Sequence, residues 1–132
     1  MTLLIDTEIL LWFQEDSSKL APENKALLED MANTVWVSQI SLIEVAIKLK
    51  IGKLPGFSVN VSSIIAQTEA DGFRILPLNN NHISAYDQLP LIADHRDPFD
   101  RLILATALHE GWPVMSSDHK FSWYPGLVNV IW

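Results

Sequence analysis

The 132-residue chain has no cysteine, which excludes a disulfide-stapled scaffold and every thiolate metal site. Glycine and proline are sparse, at 5 and 7 residues, while hydrophobic residues make up 48% of the chain. That balance buries a core and argues against a disordered or low-complexity protein. No apolar run approaches the roughly 20 residues of a membrane-spanning helix. The opening Met1-Thr-Leu-Leu-Ile-Asp6 has no basic residue ahead of its short apolar run, and Asp6 cuts that run off. A secretory signal is therefore not expected, and the predicted location is cytoplasmic with no membrane partner. Basic residues are also scarce: 9 Lys and Arg face 16 Asp and Glu, for a formal charge of −7 and a pI near 4.8. Nonspecific affinity for duplex nucleic acid comes from pairing phosphates with Lys and Arg, so a broad basic binding face is excluded. A nucleic-acid partner would require a metal ion or a local basic rim. The sequence also lacks the Gly-rich phosphate loop, the dinucleotide fingerprint and the nucleophile elbow of serine hydrolases. His82, His95, His109 and His119 fall at no metalloprotease spacing and are expected at the surface or behind other site residues.

At 14.9 kDa the chain is expected to form one domain over residues 1–132, exposing about 7,000 Å² when folded. Thr2 to Ile5 reads as a buried strand ending on an acid, and Thr7 to Phe13 has helical length. Further helices are predicted from Pro22, from Ser41 to about Ile51, over about residues 61–71, around Ile83 to Leu89, and from Asp97-Pro98 to about Glu110. Strands are predicted at Asn33–Val37, Phe73–Pro77, Pro113–Met115 and Leu127–Trp132. Strands alternating with helices predict an α/β fold in which helices cover both faces of a central, mostly parallel five-stranded sheet.

In such sheets ligands bind outside the carboxyl ends of the strands, so the acids that follow strands matter most. Asp6 follows the first strand, Glu44 opens the helix after the second, Asp100 lies in the first turn of a later helix, and Asp118 follows the fourth strand. Four carboxylates brought together raise one another's pKa unless a counter-charge sits among them, and an all-oxygen set suits Mg²⁺ or Mn²⁺. Each acid also has a local reading. Asp6 suits the cap of the first helix, and Ser41-Leu-Ile-Glu44 matches a capping box. Asp97 before Pro98 suits a helix cap, and Asp118 before His119 suits a turn. Arg96, Arg101 and Lys120 lie beside acids in sequence and are candidate phosphate-guiding charges, with solvated or ion-paired roles as the alternative.

The ordered set Leu4-Ile-Asp-Thr7, Ser41-Leu-Ile-Glu-Val-Ala46, Asp97-Pro-Phe-Asp-Arg-Leu-Ile-Leu-Ala-Thr-Ala107 and Ser116-Ser-Asp118 resembles the PIN domain family across essentially the whole chain. Its VapC-like members, toxins of bacterial type II toxin–antitoxin systems, are the nearest in pattern. The resemblance implies a PIN-like three-layer α/β/α sandwich. It also implies Mg²⁺- or Mn²⁺-dependent endoribonuclease activity on single-stranded or structured RNA, with metal-activated water as nucleophile and a 5′-phosphate product. By the same resemblance Asp6, Glu44, Asp100 and Asp118 form the catalytic, metal-holding quartet. Thr7 and Ser117 are supporting hydroxyls, and Asp97 is an extra acid assigned to the cap. A homodimer and a cognate antitoxin are the implied partners. The apolar stretches Leu42–Ile51 and Phe57–Ile65 serve either as interface or as core. The competing readings are a non-catalytic α/β binding module and a receiver-like signalling domain. A receiver would carry an acid pair after the first strand, an aspartate after the third and a lysine after the last. Here Asp6 has no acidic neighbour upstream, Leu76 leads into Pro-Leu-Asn79, and only Trp132 follows Ile131.

Overall fold

The computed structural model describes residues 1–132, with an accessible surface of 7123 Å² that agrees with the area expected for the mass. In chain order the elements are β1 (Thr2–Ile5), α1 (Thr7–Gln14), α2 (Pro22–Glu29), β2 (Thr34–Ser38), α3 (Gln39–Lys50), α4 (Val61–Ala70), β3 (Arg74–Leu76), α5 (Asn80–Ala85), α6 (Pro98–Glu110), β4 (Val114–Met115) and β5 (Val130–Ile131). Short 3₁₀ turns occupy Tyr86–Gln88 and His119–Trp123. No helix is long and apolar enough to cross a membrane.

All five strands run parallel in the order β3-β2-β1-β4-β5, with Ile5 paired to Val37 on one side and to Met115 on the other. Side chains alternate across the sheet, and each set meets its own layer of helices. Leu3, Ile5, Val35, Val37 and Met115 pack with Ile9 and Leu10 of α1, Leu28 of α2, Leu42 and Val45 of α3 and Ile64 of α4. Leu4 and Val114 pack on the opposite face with Ala85 of α5, Ile103, Leu104 and Ala107 of α6, and Phe121 and Tyr124. The result is the expected three-layer sandwich. Its centre is β1, from which the chain goes to β2 and β3 on one side and returns to β4 and β5 on the other. The strand order therefore reverses between β1 and β4, and the crevice beyond their carboxyl ends is where such sheets take ligands.

Local chemistry sets the helix ends. Asp97 caps α6 by accepting from the amides of Phe99 and Asp100, with Pro98 next, and Gly111 ends the helix at a left-handed φ of 73°. The start of α3 differs from the sequence expectation. Ser38, not Ser41, is the cap, its hydroxyl accepting from the Ile40 amide at 3.1 Å. β2 passes into α3 with no intervening loop, so the helix begins at Gln39 and Glu44 lies in its second turn, outside any capping box. The fifth strand is also shorter than predicted, because only Val130 and Ile131 pair with β4. Within the apolar stretch Leu42–Ile51, Leu42 and Val45 are core, whereas Ile43, Ile47 and Ile51 are exposed.

Candidate metal centre

The crevice between β1 and β4 is closed by a short chain of hydrogen bonds. Asp6, the first residue after β1, caps α1 by accepting from the Ile9 amide at 2.9 Å through Oδ1. Its Oδ2 accepts from the hydroxyl of Ser116, the first residue after β4. Ser116 in turn accepts from the Asp118 amide at 3.1 Å, and Asp118 Oδ1 accepts from the Lys120 amide at 3.0 Å. Asp100 enters from the first turn of α6, its Oδ2 3.3 Å from Nε2 of the buried His95. Glu44 enters from α3. Its Oε2 lies 3.0 Å from Lys48 Nζ, one turn on, while its Oε1 is buried with no hydrogen-bond partner. These four acids, with Thr7, Glu8, Lys48 and Asp97, line a cleft of about 190 Å³ that has no hydrophobic residue in its wall.

Six carboxylates around one lysine strain the electrostatics. Burial pushes the Asp6 carboxyl up to about 6, outweighing the hydrogen bonds from Ser116 and Ile9, with Glu8 and Glu44 adding repulsion. Burial again leads at Asp100, which is pushed up to about 7 with help from the charges of Asp97, Glu44, Asp118 and Asp6. Burial lowers the pKa of His95. A buried carboxylate oxygen left without a donor costs about 1–3 kcal/mol or more, so the orphaned Glu44 Oε1 fits a cation better than it fits the cleft alone. The donor set of Asp6, Glu44, Asp100 and Asp118 is all oxygen, the chemistry that Mg²⁺ and Mn²⁺ take. One ligand atom each from His95, Asp100 and Asp118 also lies within 4.8 Å of the others.

The remaining sequence candidates divide. Thr7 lines the cleft, yet its hydroxyl donates to Ser41 Oγ at 3.0 Å and ties α1 to α3. Asp97 both caps α6 and lines the cleft. Ser117 sits to one side, 3.5 Å from Glu8 Oε2, and it is Ser116 that bonds to an acid of the quartet. Arg101 is a correction: it is 3% exposed and its guanidinium donates to the hydroxyls of Tyr86 and Tyr124 and to the carbonyls of Leu89 and Pro90, so it is not free for RNA. Arg96 is exposed but outside the cleft wall, and Lys120 is half-buried, its ammonium 6.0 Å from the Trp123 ring centroid. Sequence reasoning missed Glu8, Lys48, Ser116 and the orientation of His95. Lys48 alone had a visible signal, four residues beyond Glu44 on one helix face.

The family model of the PIN domain matches residues 3–127. No curated protein matches the chain in sequence. Among solved structures, the chain is similar to VapBC2 from Rickettsia felis bound to a DNA fragment from their promoter, at 17% identity and a TM-score of 0.71 over 99% of this chain and 98% of that one. It is similar to VapBC-1 from nontypeable Haemophilus influenzae, at 18% identity and a TM-score of 0.67 over 99% and 97% of the two chains. It is also similar to FitAcB from Neisseria gonorrhoeae, at 19% identity and a TM-score of 0.65 over 98% and 96%. At these identities the likeness is one of fold, the three-layer sandwich described above. With the family match running through every strand but the last, the chain belongs to the PIN domain family.

Proposed function

We propose that the chain is a Mg²⁺- or Mn²⁺-dependent endoribonuclease of the VapC type, acting on single-stranded or structured RNA as the toxin of a toxin–antitoxin pair. The observation that carries the reading is Glu44 Oε1, buried and without a donor in a cleft where Asp6, Asp100 and Asp118 converge from three other segments. Asp6, Glu44, Asp100 and Asp118 hold the ion. When bound, it supplies positive charge against the phosphoryl oxygens and lowers the pKa of a water molecule in the cleft. Ser116 and the Ile9 amide hold Asp6 in place. Lys48 neutralises part of the acidic charge and lies where the cleft meets a second groove of about 610 Å³. Lys19, Lys53, Trp12 and Phe57 also line that groove, so an otherwise acidic surface offers an RNA strand phosphate partners and aromatic faces beside the acids. Exposed Ile43, Ile47 and Ile51 along α3 favour a homodimer, and the VapBC complexes among the fold neighbours favour an antitoxin partner.

Purified protein incubated with an unstructured RNA and a hairpin RNA tests this directly. The expected result is cleavage with Mg²⁺ or Mn²⁺, 5′-phosphate ends, loss of activity with EDTA, and a drop of about a hundredfold in rate for Glu44→Gln. Cleavage indifferent to the chelator, or no cleavage of either RNA, contradicts the reading.

A further inference from the structure

We propose that His95 is a positioning residue for Asp100: it stands neutral with its hydrogen on Nε2, donates it to Asp100 Oδ2, and so leaves Oδ1 of that carboxylate to face the cation. The hydrogen-bond polarity follows from a buried chain in which each donor is forced. A guanidinium only donates. Arg101 Nη1 donates to the Tyr124 hydroxyl oxygen at 2.9 Å, and Tyr124 is 1% exposed. The single proton of that hydroxyl has one remaining partner, His95 Nδ1 at 2.8 Å. Were Nδ1 itself protonated, either two hydrogens would face each other or the tyrosine proton would turn away and be left unpaired in the core, at a cost comparable to any orphaned buried donor. Nδ1 is therefore the acceptor, and the ring hydrogen lies on Nε2, 3.3 Å from Asp100 Oδ2.

The alternative is that His95 is itself a ligand, since its ring nitrogen, Asp100 and Asp118 come within 4.8 Å of one another. Ligation needs the Nε2 lone pair, which moves the hydrogen to Nδ1 and sets it against the Tyr124 hydroxyl. The Arg101–Tyr124–His95 chain thus opposes ligation and favours orientation, the role that partners behind metal ligands play elsewhere. It also gives Arg101, one residue beyond Asp100, a function in the core: it sets the direction of every bond up to the carboxylate.

The inference rests on the metal-site reading above, and the test separates the two. Full-length protein labelled with ¹⁵N at histidine and ¹³C at aspartate is followed by NMR with and without saturating Mg²⁺. The expected result is a protonated Nε2 and an unprotonated Nδ1 for His95 in both states, with a Mg²⁺-dependent shift at the Asp100 carboxyl carbon. An unprotonated Nε2, or one that loses its hydrogen when Mg²⁺ is added, overturns the proposal. An intact tautomer with no Mg²⁺ response at Asp100 overturns the metal-site reading, and with it the purpose given to His95. Tyr124→Phe, with its fold checked by circular dichroism, is expected to release the tautomer and weaken Mg²⁺ binding about tenfold. A folded variant that keeps both the tautomer and the affinity also overturns the proposal.

Discussion

At Asp100 the proposed chemistry and the stability of the fold oppose each other. Its carboxyl, pushed up to about 7 chiefly by burial and next by Asp97, resists ionisation in the metal-free protein. A carboxyl raised on folding contributes stability while protonated and loses it as pH rises through the folded value. Asp100→Asn is therefore expected to stabilise the metal-free protein at about pH 8 by on the order of 2 kcal/mol, after discounting for partial exposure, and to change little at about pH 3.5, below the ordinary carboxyl value. Urea unfolding at the two pH values checks this. Arg101 is the opposite case. Removing its guanidinium in Arg101→Ala takes the donor away from two tyrosine hydroxyl oxygens and two carbonyls, and a loss of about 3 kcal/mol or more in the same experiment is expected. The four acids were legible because each follows or flanks an apolar segment that reads as a strand or helix. Lys48, Glu8 and Ser116 matter through neighbours brought in by the fold, and the burial of Arg101 depends on Tyr86 and Tyr124, which no local pattern connects to it.

Helix α3 shows how a two-residue difference changes a residue's meaning. Ser41-x-x-Glu44 fits a capping box, but the strand β2 continues to Ser38 and the helix starts directly after it. Ser41 is then buried under Thr7, and Glu44 points to the cleft from the second turn, free of the cap that would have explained it locally. Ser38→Ala is expected to cost about 1 kcal/mol, the loss of one helix cap, as read by thermal unfolding. The ends of α6 follow the sequence closely, because Asp97-Pro98 and Gly111 carry their own conformational preferences. The short β4 and β5 were placed correctly but drawn too long, since strand ends are set by the partner's length.

Across the whole molecule, helices on both faces of a parallel sheet could be read from alternating apolar segments, whereas the order β3-β2-β1-β4-β5 could not. That order puts Asp6 and Asp118 at neighbouring strand ends and makes one crevice out of residues far apart in sequence. With a charge of −7 and both Asp6 and Asp100 raised, the metal-free protein is expected to lose stability from about pH 4 to about pH 7. The lowered pKa of His95 works the other way, but only below its ordinary value of 6.5, and two carboxyls outweigh it. Millimolar Mg²⁺ is expected to reverse the trend, raising the melting temperature more at the higher pH, where both ligands are ionised.

The most direct measurement is a calorimetric titration of Mn²⁺ into the wild-type protein and Glu44→Gln near neutral pH. Glutamine keeps the length of the side chain and its place beside Lys48 while removing the carboxylate charge. The metal-centre account predicts saturable binding to the wild type and binding at least about tenfold weaker in a folded variant. Equal affinity for the two proteins, or no binding by the wild type, contradicts it.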